Sequence, residues 1–87
     1  MDKDRAEVLE SIVKDVNELI GETKDQYREL QITKQRLKNL HNANKIDRLE
    51  FIVEKERIAI TEESINDCLR RLERQKKIAV FELMKLE

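Results

Sequence analysis

Apolar residues return at every seventh position on both sides of a single break. Before the break the series is Leu9, Val16, Thr23, Leu30 and Leu37. After it the series is Phe51, Ile58, Ile65, Leu72, Ala79 and Leu86. A seven-residue repeat places its members on one face of a helix, and only a helix that wraps around another helix buries such a face along its whole length. The chain has 87 residues, no proline and one glycine, with 43% charged and 39% hydrophobic residues. That composition favours long helices over a compact mixed core. Three aromatic residues, Tyr27, Phe51 and Phe81, are too few for a rich globular interior.

The first helix is expected over residues 4–41. Its second seam position is read from Ile12, Leu19 and Leu40, with Gln26 and Thr33 as polar interruptions. Val13, Ile20 and Tyr27 widen the stripe on one flank. Asp4 and Glu7 form a candidate cap pair at the start. Gly21 does not disturb the phase of the stripe and is read as a weak point or a close-packing position. Exposed Glu10–Lys14, Asp67–Arg71 and Glu73–Lys77 stand at the spacing that favours ion pairs along a helix.

The break reads Leu40-His41-Asn42-Ala43-Asn44-Lys45-Ile46-Asp47. Asparagine tolerates left-handed backbone and serves at helix ends. Asn42 is expected to end the first helix, Asn44 to start the second, and residues 42–45 to form the turn. So short a connection between two long helices folds them back antiparallel.

The second helix, residues 46–86, carries more apolar surface than one neighbour can cover. Its seven-residue series is joined by Leu69 and Leu83, while Ile46, Leu49, Val53 and Ile60 lie on nearly the opposite side. Either another helix covers this second stripe, or the helix bends near Thr61 and shows both stripes to one partner. The continuous helix is the preferred reading. The run Ile78–Leu86 is apolar all round, so Val80, Phe81 and Met84 need burial in an oligomer or a docked partner. The expected fold class is therefore all-α: one helical-hairpin domain, a long antiparallel coiled coil that dimerises into a four-helix bundle.

The remaining features point away from chemistry. Net charge is −1, which gives no bulk attraction to nucleic acid or membrane. Arg70, Arg71, Arg74, Lys76 and Lys77 form a basic run without the interleaved aromatics that stack bases, and read as a solvated face. His41, the only histidine, has no partners at ligand spacing. Cys68, the only cysteine, has no adjacent base and reads as a small packing residue in a reducing compartment. No acid–base pair, nucleophile pair or phosphate loop can be named, so no enzyme and no cofactor are expected. No apolar run is long enough to span a bilayer, and the N-terminus lacks a secretory pattern, which suggests a cytoplasmic protein.

Over roughly half of the chain these pieces occur in a familiar order. LQITKQRLKNL is followed by HNANK, then IDRLEFIVEKERIAI, then LRRLERQKK. This order resembles the FlgN-type flagellar export chaperones, and more loosely the related FliT type. The resemblance implies a long helical hairpin that holds an aggregation-prone secretion substrate and delivers it to an export machine. In that family the substrate-binding region follows the hairpin, and only Val80–Leu86 lies where such a region would begin. The functional expectation is a chaperone or adaptor that binds a protein partner through Ile46, Leu49, Val53, Ile60, Val80, Phe81 and Met84. The alternatives are a self-assembling structural coiled coil and a small nucleic-acid-binding regulator using Arg70–Lys77.

Overall fold

Two helices and one tight connection account for the path of the described residues. In the computed structural model, which describes residues 2–86, α1 runs Asp2–Asn42 and α2 runs Arg48–Leu86. The Cα radius of gyration is 19.4 Å and the extents are 64 × 15 × 13 Å. A compact chain of this length would have a radius near 12 Å, so the molecule is a rod two helices wide. The fold is all-α, a long antiparallel hairpin. The second helix is continuous through Thr61, whose hydroxyl donates to the Arg57 carbonyl one turn back.

The turn uses its asparagines differently from the expectation. Asn42 is still helical, and Asn44 takes the left-handed conformation at φ 57°. The Asn44 amide donates to the His41 carbonyl (3.1 Å) and the Lys45 amide to the Leu40 carbonyl (2.9 Å). These two bonds close a Schellman motif, in which a left-handed residue lets the chain satisfy the last free carbonyls of the helix. Asparagine fits because its short polar side chain lowers the strain of that backbone. Asn44 therefore ends α1. The carbonyl of Asp47 accepts the first bond of α2, from the Phe51 amide (2.8 Å), so Asp47 starts the second helix. At the other end, α1 already includes Asp4, so Asp4 and Glu7 are interior helix residues and not a cap pair.

The hairpin seam confirms one half of the expected pattern and corrects the other. Leu9, Val16, Thr23 and Leu37 are buried, and Leu30 is half-buried. The second seam position belongs to Val13, Ile20, Tyr27, Lys34 and His41, all half-buried. Ile12, Leu19 and Leu40 lie on the exposed flank. On α2 the expected series holds: Ile58, Ile65 and Ala79 are buried, and Phe51, Leu69, Leu72, Leu83 and Leu86 are half-buried. Two contacts across the hairpin fix its register. His41 stacks on Phe51 with ring centroids 3.9 Å apart and planes at 12°. Further along, Lys34 Nζ lies 3.5 Å from Glu62 Oε2.

The middle of the seam is polar. Besides the Lys34–Glu62 pair it holds Thr23, which meets its needs by donating to the Leu19 carbonyl at 2.7 Å. The buried Gln31 Nε2 has no protein acceptor. Among the described residues no large side chain is fully buried. A two-helix rod has no interior deep enough to enclose one, so its stability rests on partial burial along the seam.

Gly21 and Cys68 also depart from one of their expected roles. A Cβ on Gly21 would meet nothing within 4 Å, so close packing is not its purpose. Cys68 is exposed and is not a packing residue. Surface ion pairs form at i, i+3: Asp67 pairs with Arg70 and not with the expected Arg71. Both spacings put side chains on neighbouring turns, and exposed pairs of this kind contribute little.

Candidate functional site

The outer face of α2 is the most distinctive surface of the rod. Each residue on this face follows from helical spacing against a seam that α1 already covers. Leu49, Ile52, Val53 and Ile60 stand out at the turn end, with Leu49 68% and Ile60 61% exposed. Ile46 is half-buried in the connection that precedes α2, so it borders this patch without belonging to the helix. Val80, Phe81 and Met84 stand out at the other end, with Phe81 58% and Met84 65% exposed. The two groups expected to bind a partner are thus both accessible. They lie on one side of one helix, with about five and a half helical turns from Ile60 to Val80.

Each apolar group borders a depression. A groove of ≈ 900 Å³ runs beside Ile20, Lys24, Lys77, Val80, Phe81 and Met84. The Lys85 ammonium sits 4.8 Å from the centre of the Phe81 ring and covers part of its face. A shallower recess of ≈ 490 Å³ lies among Ile52, Val53, Glu56 and Ile60. Neither is enclosed by a second layer of protein, because the hairpin has none.

The stretch between the apolar ends is charged, and the charges are sorted. Glu56 and Glu63 come first along the face, and Arg70, Arg74 and Lys77 follow, all exposed. Asp67 stands at the change of sign, tied to Arg70. The expected basic run is thereby divided: Lys76 turns half-buried into the seam beside Ile20, while the others stay on the surface. Glu73 interrupts them on the same side, so no continuous basic strip forms.

The matching face of α1 is polar. Glu10, Lys14, Asn17, Lys24 and Arg28 are exposed along it. The exposed large apolar residues of α1 are Val8, Ile12, Leu19, Ile32 and Leu40, of which Ile12, Leu19 and Leu40 occupy the other flank. The larger share of the exposed apolar residues lies on α2.

Among the described residues no group of three or more histidines, cysteines or carboxylates is placed to hold a metal ion. Among them, too, no helix is long and apolar enough to cross a membrane. His41 spends its ring on the stack with Phe51. The sorting of charge along α2 and the seam roles of Lys34 and Glu62 were missed by sequence reasoning. Both are visible as seven-residue series once the register of the hairpin is known. Comparison with protein-family models, curated proteins and solved structures finds no match for this chain.

Proposed function

We propose that this chain is a non-enzymatic docking module, a chaperone or adaptor that holds a protein partner against the outer face of α2. One observation carries the reading. Leu49, Val53, Ile60, Phe81 and Met84 expose large apolar side chains on the side of α2 that α1 leaves uncovered. Isolated apolar residues on a surface are ordinary, but contiguous groups at helical spacing mark interaction sites. Recognition of an amphipathic helix uses anchors at this spacing. Met84 and Phe81 beside the ≈ 900 Å³ groove suit a partner whose side chains vary, because both present soft, adaptable surface.

The resemblance to FlgN-type proteins favours one form of this reading, a cytoplasmic chaperone for a secretion substrate. The apolar run Val80–Leu86 supports it, lying where that family's substrate-binding region would begin. Binding of nucleic acid is less favoured, since Asp67 and Glu73 offset the basic residues around them.

The test is capture by the immobilised full chain from a lysate of the source cells. The double variant Phe81→Ser/Met84→Ser should keep its far-UV helicity, because both residues lie off the seam, and should capture several-fold less of any specific partner. Undiminished capture by the helical variant would remove these residues from the site.

A further inference from the structure

Every seventh residue along one exposed row of α2's outer face reads Leu49, Glu56, Glu63, Arg70, Lys77, Met84. By chemistry the order is apolar, acid, acid, base, base, apolar. All six are exposed. Reversed and laid on itself, the series is complementary at each level. Leu49 meets Met84, Glu56 meets Lys77, and Glu63 meets Arg70. On the flanks Ile52 faces Val80 and Val53 faces Phe81, each to within one residue of the same reversal, while Ile60 falls opposite Arg74.

From this self-complementarity we infer that a second copy of this chain docks on the face, antiparallel, about a two-fold axis passing between Asn66 and Asp67. The inference rests on the docking role assigned above to the same face and names its occupant. A two-fold interface requires that if one residue contacts another across the axis, the reciprocal contact also forms. The series meets that condition. A parallel pairing would set Glu56 on Glu56 and Arg70 on Arg70, which like-charge repulsion disfavours. An unrelated partner would impose no reason for the two halves of one helix to mirror each other. Asp67, beside the axis, approaches its own copy, and the Arg70 of the same chain already neutralises it.

The size is adequate. From Leu49 to Met84 the face runs ~52 Å at 1.5 Å per residue, and a strip ~10 Å wide gives on the order of 500 Å² a side. That reaches the ~1,000 Å² total of a specific interface. Because the matching face of α1 is polar, the contact is α2 against α2, with the two α1 helices outside it.

Charge exchange between two variants tests the pairing. Glu56→Lys/Glu63→Lys and Arg70→Glu/Lys77→Glu each place like charges at four levels of their own homodimer. Sedimentation equilibrium should find the wild-type chain dimeric and each variant at least tenfold weaker in self-association, with helicity retained. An equimolar mixture of the two should restore the dimer as a heterodimer. Spin labels give the orientation. A label on native Cys68 should lie within ~25 Å of its copy, whereas one on Glu50→Cys in a Cys68→Ser background should lie ~50 Å from its copy. A monomeric wild type, variants that dimerise unchanged, or a short distance at position 50 each overturn the inference. If Phe81→Ser/Met84→Ser still abolishes capture of another protein in that case, the docking role stands and only its occupant changes. If the dimer forms as described and nothing else is captured, the face serves self-assembly alone.

Discussion

Gly21→Ala offers a direct measure of how much of this rod is bare. Gly21 lies in the interior of a 41-residue helix, its φ is not positive, and a Cβ there meets nothing within 4 Å. Nothing in the fold requires glycine. In an open helical site alanine is favoured by about 0.8–1.0 kcal/mol, mainly because the unfolded chain has less freedom to lose. For a domain of this size ~1 kcal/mol raises the midpoint of thermal unfolding by about 4–8 °C. The assay is thermal unfolding followed by far-UV circular dichroism, run at matched chain concentrations because self-association shifts the midpoint by mass action. Gly21→Lys extends the test, since lysine is nearly as good a helix former but far larger. Open space predicts that both variants gain. A loss with lysine but not alanine would place another chain over this part of α1. A loss with both would refute the open geometry and the reasoning from it.

Three further outcomes follow from the same structure. Asn44→Val should destabilise the hairpin by about 1–2 kcal/mol, because a β-branched residue resists the left-handed backbone, while Asn44→Gly should be tolerated; thermal melts of the two variants decide it. The Lys34–Glu62 pair is partly exposed, so Lys34→Ala should cost under ~1 kcal/mol, whereas Lys34→Leu/Glu62→Leu should raise the midpoint by filling the seam; a fall in that midpoint would count against its present register. Cys68 should react with a thiol reagent in the folded protein at nearly the rate of the denatured chain, and protection would show that its side of α2 is covered.

The fold was legible because the pattern repeats for so long. A seven-residue series over most of each helix leaves no competing assignment, and the asparagine-rich break admits only a tight reversal. The second seam position of α1 was not legible for a definite reason. From Leu9 the next contact can fall at Ile12 or at Val13, and both rows are apolar for two turns. The choice depends on which side α2 lies, a tertiary fact. Lys34 and His41 concealed the true row, because neither looks like a seam residue until Glu62 and Phe51 are set opposite them. On α2 the ambiguity is absent, since Leu69 and Leu83 extend only one row. The cap residues were misplaced because Asn42, Asn44 and Asp47 suit helix ends equally well, and only backbone conformation separates them. The exposed apolar groups of α2 were readable as an excess over what one neighbour could cover.

The antiparallel layout also sets an order of assembly. Contacts in a hairpin grow further apart in sequence with distance from the turn. His41 and Phe51 are separated by about ten residues, while the far end of the seam, near Leu9 and Leu86, closes a loop of about 77. Closing the larger loop first would cost roughly 2 kcal/mol more chain entropy than closing the smaller one. Folding therefore starts where the imidazole meets the phenyl ring and proceeds like a zipper toward the open end, each level needing only a short extension of what is already joined. Fraying follows the reverse path, so the Phe81 and Met84 end loosens before the turn does, and whatever binds there meets the least firmly held part of the rod.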